Sequence, residues 1–458
     1  MTTASHTGAA PGTPSIAIVG GGWAGFAAAA ELARRGLKPT LYEASRILGG
    51  RARAADLDGR LLDNGQHIML GAYRDTLACM RMVGIDTAAA LLNLPLQMRY
   101  PAPSGGMDFV APRLPAPLHM LVALWRATGL SREDKMALAR FSTAARWMGW
   151  ELHHDCSVTE LLRRFDQTAR LTALMWRPLC IAALNTPPER ASAKVFLAVL
   201  RDSLGAKRAA SDMLLPRVNL SALFPDKAAA FVTNHGGTVR AGARVRAMRR
   251  EEDGWSLQVE HDGHAAEMRH DAVIVATGAE HARPILPSRV TLPSFDYEPI
   301  TTCYLQYDAQ LRLAAPFYAL VDAPERMAWG QFVFDRGWLD AAQSGLLAVV
   351  VSASTPAVGK GHDALAVAIA AQLAQQLGMP ALAQPAWTRT VTEKRATFAC
   401  APSLQRPAAD TGVPGLFLAG DYVESDYPAT LEAAVRSGLK AAALAADVKP
   451  VRSAVTAD

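Results

Sequence analysis

The spacing of three glycines and one acid near the N-terminus shows where this chain can do chemistry. Gly20, Gly22 and Gly25 form a Gly-x-Gly-x-x-Gly pattern, and Glu43 follows the last glycine by 18 residues. The first glycine permits a tight turn, the second lets the backbone approach a pyrophosphate, and the third lets a helix pack closely on a strand. The acid stands where a carboxylate takes a ribose hydroxyl. The pattern therefore predicts a dinucleotide site with phosphates at a helix N-terminus.

Two later loops carry further candidate residues. Residues 49–53 contain two glycines and two arginines, which suit a loop over a diphosphate because arginine gives forked hydrogen bonds. A solvated basic turn is the alternative. Residues 63–65 form a turn signal that delivers Gln66 and His67 into an apolar stretch. A histidine there is most often a satisfied polar residue, but over a cofactor ring it becomes a candidate proton donor.

A Gly-Asp pair near the C-terminus is the last candidate group. Gly420-Asp421 closes an apolar run, and residues 429–438 then begin a helix. An aspartate at the end of a strand could accept hydrogen bonds from a ribityl chain. The positive N-terminus of the following helix would lie near an anionic reduced flavin ring. A Gly-Asp pair alone is an ordinary turn, and its position in the chain is what favours the functional interpretation.

The elements that must position these residues indicate an α/β (α+β) fold with a Rossmann-type domain. Residues 16–19, 39–43, 271–278 and 415–421 are predicted strands, and an Ala-rich helix ends before Gly36. Strands are also predicted over 239–259, 300–307 and 346–352, with a helix over 363–377.

The region from residue 91 to 215 is predicted to be mainly helical. Ser131 and Ser157 begin capping-box patterns that start two of these helices. Between residues 118 and 150, arginines and a lysine alternate with tryptophans and a phenylalanine. Such helices either lie on an anionic membrane or pack on their own domain. The cluster at residues 153–155 is interpreted as a loop before a helix cap, not as a metal site.

The composition is that of a globular protein large enough for two domains. Of the 458 residues, 50% are hydrophobic and 19% are charged, and the net charge of +5 selects no partner by itself. The five cysteines lack metal-ligand or disulfide spacing, which indicates reduced thiols, no metal and a cytoplasmic protein. We see neither a signal peptide nor a run of ~18 apolar residues that would span a membrane. We expect no nucleic-acid partner.

Together these motifs resemble the superfamily of flavin-containing amine oxidases and carotenoid desaturases. The resemblance rests on residues 20–25, Glu43, residues 49–51, residues 273–278 and Gly420-Asp421, and it covers nearly the whole chain. Within the superfamily, residues 62–67, 184–187 and 421–422 are similar to the squalene-associated branch, the hydroxysqualene dehydroxylases.

The resemblance implies a noncovalent FAD, since no attachment cysteine stands in the matching C-terminal loop. It implies an FAD-binding domain of residues 15–90, 215–285 and 410–447. Residues 91–214 and 286–409 would form an interleaved substrate domain of helices and a mixed sheet, between flexible termini at 1–14 and 448–458. His67 is the catalytic candidate from the residue pattern. The candidate cofactor-binding residues are Gly20, Gly22, Trp23, Ala24, Gly25, Glu43, Ala44, Gly50, Arg51, Gly65, Gln66, Val245, Thr277, Gly278, Gly420, Asp421, Thr430 and Leu431.

The branch resemblance implies reductive dehydroxylation of hydroxysqualene to squalene in squalene and hopanoid biosynthesis. It also implies a long isoprenoid substrate, peripheral contact with the inner membrane and contact with other squalene-pathway enzymes. An oxidising phytoene-type desaturase, or a protoporphyrinogen or amine oxidase, is the alternative within enzymes. A noncatalytic isoprenoid carrier, like the GDP-dissociation inhibitors, is the remote alternative, because a carrier is expected to have lost cofactor motifs that are intact here.

Overall fold

The computed structural model describes residues 13–450, which leaves most of both predicted flexible termini outside the described residues. The strands range from two to twelve residues, and several are separated along the chain by long helical segments. They are β1 (Ile16–Val19), β2 (Thr40–Glu43), β3 (Ala54–Leu57), β4 (Arg60–Asp63), β5 (Met69–Leu70), β6 (Leu91–Leu94), β7 (Gln97–Arg99), β8 (Asp108–Val110), β9 (Met213–Pro216), β10 (Thr238–Ala241), β11 (Ala243–Glu251), β12 (Gly254–His261), β13 (His264–His270), β14 (Ala272–Val275), β15 (Tyr297–Gln306), β16 (Phe317–Ala319), β17 (Phe332–Asp335), β18 (Leu346–Val351), β19 (Trp387–Phe398) and β20 (Leu416–Leu418).

The helices cluster between β8 and β9 and on the central sheet. They are α1 (Trp23–Arg34), α2 (Arg74–Met82), α3 (Thr87–Ala90), α4 (Leu118–Arg126), α5 (Arg132–Trp147), α6 (Val158–Arg164), α7 (Ala169–Leu171), α8 (Arg177–Leu184), α9 (Ala193–Ser203), α10 (Leu220–Leu223), α11 (Pro225–Asn234), α12 (Ala279–Ala282), α13 (Thr355–Val358), α14 (His362–Leu377) and α15 (Leu431–Ala446). Within residues 13–450 we find no helix with the length and apolar character needed to cross a bilayer.

A parallel sheet gathers the distant motifs at one edge. Its strand order is β10-β2-β1-β14-β20, and every neighbouring pair is parallel. The carboxyl ends of β1, β2, β14 and β20 therefore meet, and these ends carry the glycine turn, Glu43, Thr277 and Asp421. In open parallel sheets, ligands bind outside these ends. The α/β fold with a Rossmann-type sheet is confirmed, whereas the domain bounds stay a prediction.

Close packing of α1 explains two of the glycines. A Cβ on Gly25 would lie 2.0 Å from the Gly20 carbonyl oxygen, and one on Gly438 would lie 2.2 Å from the Ala24 carbonyl oxygen. Gly25 thus brings α1 against the turn that precedes it, and Gly438 brings α15 against α1. The predicted stop at Gly36 is confirmed by its φ of +82° and by the bond from the Leu37 N–H to the Leu32 carbonyl, 3.0 Å.

A second sheet, in the region where the resemblance implies a mixed sheet, is antiparallel at every pair of neighbouring strands. Its order is β16-β17-β18-β15-β19, and β15 and β18 cover the strands predicted at 300–307 and 346–352. Strand β19 had no sequence prediction because its residues include Arg389, Glu393, Lys394 and Arg395 and show no buried alternation. The predicted caps are confirmed: Ser131 and Asp134 form a reciprocal capping box on α5, and Ser157 caps α6.

Candidate active site

The glycine turn leaves an open cradle at the N-terminus of α1. Gly20 has φ +113°, and a Cβ there would lie 2.8 Å from the Ala276 carbonyl oxygen. A Cβ on Gly22 would meet only the Gly50 Cα atom at 3.9 Å, so space remains beside the first N–H groups of α1. The Gly49 N–H donates to the Gly21 carbonyl at 2.8 Å, which holds the second glycine loop over this turn. Such a cradle suits a pyrophosphate.

Glu43 lies at the end of β2, directly beside the glycine turn. Its Oε2 accepts a hydrogen bond from the Gly21 N–H at 2.6 Å, and Oε1 accepts one from the Ser45 N–H at 2.7 Å. Ala44 stands between these groups on the chain. Two backbone donors fix the carboxylate where a ribose hydroxyl of a bound dinucleotide would donate to it. Val245 lies buried on β11, which packs near β2.

Arg51 and Asp421 meet although the sequence separates them by 370 residues. Arg51 Nη2 donates to Asp421 Oδ1 at 2.6 Å, and Nη1 donates to the Ala396 carbonyl at 2.8 Å. Burial is the largest single effect and opposes the guanidinium charge, but Asp421, with Glu393 and Tyr297, raises the pKa of Arg51 above its usual value. The predicted phosphate ligand and the predicted ribityl ligand therefore form one ion pair in this structure.

The start of α15 completes the C-terminal side of the site. Gly420 has φ +147°, and its N–H donates to Ser437 Oγ at 2.8 Å. Thr430 caps the helix, because its Oγ1 accepts from the Ala433 N–H at 3.2 Å, and Leu431 is the first helical residue. The open N–H groups of α15 consequently carry a partial positive charge at this point.

Two buried hydroxyls test whether the site fits a cofactor. Among residues 13–450, Thr277 Oγ1 and Tyr422 OH have no hydrogen-bond partner. Burial also raises the pKa of Tyr422, which keeps this hydroxyl a neutral donor. A Cβ on Gly278 would meet nothing within 4 Å. Buried polar groups are rarely left unsatisfied, so two orphaned hydroxyls just beyond the carboxyl ends of β14 and β20 fit a site built for a polar ligand. Trp23 was also predicted to bind the cofactor, but its indole N–H already has a partner. It donates to the Ala52 carbonyl at 3.0 Å, and the ring packs on Phe224.

The turn that carries His67 borders the Arg51 loop. Asn64 Nδ2 donates to the Arg51 carbonyl at 3.2 Å, and a Cβ on Gly65 would lie 3.5 Å from Thr302 Oγ1. His67 Nδ1 lies 2.8 Å from the Gly65 carbonyl oxygen. A carbonyl only accepts, so Nδ1 carries the proton and Nε2 is left to face another group. The imidazole is half-buried.

A buried pair of charged residues at this turn was not predicted from the sequence. Asp63 and Arg336 are each 2% exposed, and Arg336 Nη1 lies 4.0 Å from Asp63 Oδ2. Burial raises the pKa of Asp63, while Arg336 and the Leu220 N–H oppose that rise. No local pattern marks Arg336, because its partner Gln66 in this turn lies 270 residues away along the chain. The sequence marks Asp63 only as part of a turn signal and of residues 62–67, which carry the branch resemblance.

An apolar cavity of about 190 Å³ lies between α4 and α5. Its walls come from both helices and from β7, β8, the turn before α8, and α9. Gln97 is the one lining residue that is both polar and buried, at 7% exposure, and within residues 13–450 its carboxamide has no hydrogen-bond partner. The apolar lining includes Leu96, Met98, Phe109, Met120, Leu124, Leu138, Phe141, Met175, Trp176, Leu179, Leu200 and Leu204. This chamber can hold hydrocarbon.

Among residues 13–450 no group of three or more His, Cys, Asp or Glu side chains could hold a metal ion. All five cysteines are buried and unpaired. Asp155, from the cluster considered in the sequence, accepts hydrogen bonds from the Cys156 and Lys194 N–H groups and from Ser192 Oγ. It therefore ties a loop to α9.

Comparisons with known proteins agree with this geometry. A family model described as flavin containing amine oxidoreductase matches residues 23–446. The chain is 29% identical to a hydroxysqualene dehydroxylase of Rhodopseudomonas palustris, over 94% of this chain and 98% of that protein. It is 24% identical to a 15-cis-phytoene desaturase of Glycine max, over 93% of this chain and 78% of that protein. A solved cyclohexylamine oxidase from Brevibacterium oxydans has the same fold, with a TM-score of 0.64 at 16% identity, covering 95% and 99% of the two chains.

Proposed function

Because this chain belongs to the flavin-containing amine oxidoreductase family, we propose that it is an FAD-dependent hydroxysqualene dehydroxylase that forms squalene. The observation that carries this proposal is the 29% identity with a hydroxysqualene dehydroxylase over 94% of the chain. That length includes the substrate side as well as the cofactor motifs, so similarity of the FAD site alone does not account for it. The apolar cavity supplies a surface against which part of a long isoprenoid would pack.

We assign the cofactor to the residues gathered at the carboxyl ends of the parallel strands. The Gly20–Gly25 turn and Gly50 would hold the pyrophosphate, Glu43 the adenosine ribose, and the Arg51–Asp421 pair the phosphate and ribityl region. The hydroxyls of Thr277 and Tyr422 would find their missing partners on the cofactor. When bound in its reduced state, FAD supplies a hydride.

The residues of the chain must then remove a hydroxyl group, which leaves poorly unless it is protonated. We assign the donor to the doubly protonated imidazole of His67, in which the Nδ1–H stays on the Gly65 carbonyl and the Nε2–H faces the substrate; giving up the Nε2 proton leaves the neutral Nδ1–H form. The proton passes to the allylic hydroxyl oxygen, the C–O bond breaks and water leaves. A hydride supplied to the carbon that loses the hydroxyl group would complete the reduction to squalene.

The direction of electron flow tests the proposal. A dehydroxylase begins with reduced flavin, whereas a desaturase or an oxidase begins with oxidised flavin. Dithionite-reduced protein, kept anaerobic and mixed once with hydroxysqualene, should regain the absorbance of oxidised flavin as squalene appears. Oxidised protein mixed with phytoene, an amine or protoporphyrinogen should keep its spectrum. Bleaching by one of these three, without reoxidation by hydroxysqualene, would favour the second candidate, an oxidising enzyme related to the phytoene desaturases.

We further propose that α4 and α5 place the cavity mouth on an anionic membrane. Large apolar side chains on these helices point to solvent: Leu118, Leu121 and Trp125 on α4, and Met136 and Trp147 on α5. In each helix they share one face by their spacing, and exposed arginines flank them. Apolar and basic side chains side by side favour an anionic bilayer over water. Leu121 and Arg146, which are exposed, also line the cavity, so the same surface offers a path for the substrate.

Charge reversal on this surface should release the protein from anionic vesicles. We choose Arg126, Arg132 and Arg140, which are exposed, and leave Lys135 unchanged because its Nζ donates to the Trp125 carbonyl at 2.9 Å. Each basic side chain contributes roughly 1 kcal/mol near such a surface, so R126E/R132E/R140E should weaken co-sedimentation ~100-fold or more.

A matched control carries the same charge change elsewhere. Arg81, Arg217 and Arg289 are exposed and lie outside both helices. R81E/R217E/R289E should keep most of the binding at equal ionic strength. If both triple variants lose the same amount of vesicle binding, the loss reflects the net charge of the protein and not the surface of α4 and α5. If R126E/R132E/R140E binds like the wild type, these helices do not contact the membrane and the proposal is wrong.

A further inference from the structure

Arg336 is a buried cation that connects the second sheet to the turn carrying His67. It follows β17 directly and is 2% exposed. Its Nη1 donates to Gln66 Oε1 at 2.6 Å and its Nε donates to Gln343 Oε1 at 2.8 Å. Burying a charge is costly, and an apolar residue in a well-packed core often serves stability as well or better. The position therefore calls for a reason beyond packing.

The bond to Gln66 decides which way that carboxamide faces. Arginine has donors only, so the oxygen of Gln66 must point to Arg336 and its amide nitrogen must point away. Gln66 Nε2 then donates to the His67 carbonyl at 3.1 Å. Without the guanidinium, either orientation of the carboxamide would be open. Arg336 thus fixes a hydrogen bond on the backbone of His67 without touching the imidazole.

Other contacts hold the same turn from two sides. Asp63 Oδ1 accepts from the Leu220 N–H at 2.7 Å, and the Asp63 carbonyl accepts from Tyr304 OH at 2.9 Å. The Gln66 N–H donates to Thr302 Oγ1 at 3.3 Å. Asp63 also gives Arg336 its nearest carboxylate, at 4.0 Å. The backbone of the turn is therefore anchored at Asp63 and at Gln66, and the bond from Arg336 fixes the orientation of the Gln66 side chain.

We propose that Arg336 is a positioning residue that acts through Gln66 to hold His67 with its Nδ1–H on the Gly65 carbonyl and its Nε2 toward the reacting hydroxyl. This inference rests on the proposed function in taking His67 as the proton donor. Small misplacements of a reacting group can lower a rate about 10²-fold. Loss of the Arg336–Gln66 bond should therefore slow the reaction while FAD stays bound.

The test uses D63N/R336M, which removes both buried charges together and leaves neither unpaired. R312M is the matched control, because Arg312 is exposed and stacks on Trp338 at 5.0 Å. For each protein we would measure thermal unfolding, FAD content and the anaerobic single-turnover rate. The tautomer of His67 would be read from ¹⁵N spectra of histidine-labelled protein, assigned with H67A.

We expect D63N/R336M to fold and to bind FAD, to turn over ~10²-fold more slowly and to lose the single Nδ1–H tautomer of His67. R336K keeps a charge and one donor for Gln66, so it should recover part of the rate and the tautomer. R312M should match the wild type in both. A wild-type tautomer in folded D63N/R336M would overturn the proposal, whatever its rate. If the wild type fails to act on hydroxysqualene, the proposed function fails, and the tautomer still decides the role of Arg336.

Discussion

Replacing Gly22 with aspartate should give a folded but colourless protein. Gly22 has an ordinary φ of −83°, and a Cβ there meets only the Gly50 Cα atom at 3.9 Å, so the side chain can enter without distorting the chain. Its carboxylate would then occupy the cradle that we assign to the pyrophosphate. Two unit charges 4 Å apart repel by about 4 kcal/mol at an effective dielectric constant of 20. That repulsion weakens FAD binding by roughly 10³-fold, before any steric loss.

The measurement is the ratio of flavin absorbance to protein absorbance after purification, followed by titration of the apoprotein with FAD. G22A adds a methyl group without charge and should lose far less affinity, which separates bulk from repulsion. G359D places the same acid at an exposed position with φ −61° and should stay yellow. If G22D purifies with one FAD per chain, the pyrophosphate does not bind at this turn, and the assignment of the cofactor site is wrong.

The sequence predicted this part of the site because its signal is local. The strand, the glycine turn, α1 and Glu43 lie within residues 16–43, and each local preference agrees with the next. The spacing of the glycines predicts a tight turn and close packing of a helix, because only glycine permits these backbone conformations and contacts. Both the cradle at Gly22 and the carboxylate of Glu43 beside Gly21 follow from that short stretch.

Contacts between distant segments were beyond the reach of such patterns. Arg51 and Asp421 were each predicted to bind the cofactor, yet their mutual ion pair depends on how β20 is placed beside β14. Arg336 carries no motif, and its role follows only from a fold that brings it to Gln66. A buried arginine is rare, so burial rather than sequence identifies it.

For α4 and α5 the sequence provided part of the answer and the structure provided the rest. Their alternation of charges and aromatic residues was visible in the sequence, but the same pattern fits a helix packed on its own domain. Exposure separates the two classes of side chain: Trp125 and Trp147 are 76% and 87% exposed, whereas Phe141 is buried. The structure therefore assigns individual residues to the solvent face, and vesicle binding is the measurement that tests what covers them.

Replacing His67 with alanine should lower the anaerobic single-turnover rate by ~10²-fold or more while FAD remains bound. The physical reason is the leaving group, because hydroxide departs poorly and the proton must come from a positioned donor. His67 Nδ1 is engaged by the Gly65 carbonyl at 2.8 Å, so the imidazole presents Nε2 in one orientation. Flavin content should hold, since the turn is anchored independently by Leu220, Tyr304 and Thr302.

The matched control is His235, an exposed histidine whose Nδ1 lies 2.8 Å from the Phe231 carbonyl oxygen at the end of α11. It has the same local hydrogen bond as His67 but stands outside the assigned site, so H235A should turn over like the wild type. A fall in flavin content without a fall in the rate per bound flavin would make His67 a cofactor ligand. If H67A turns over at the wild-type rate, His67 is not the proton donor, and the role that we propose for Arg336 is wrong as well.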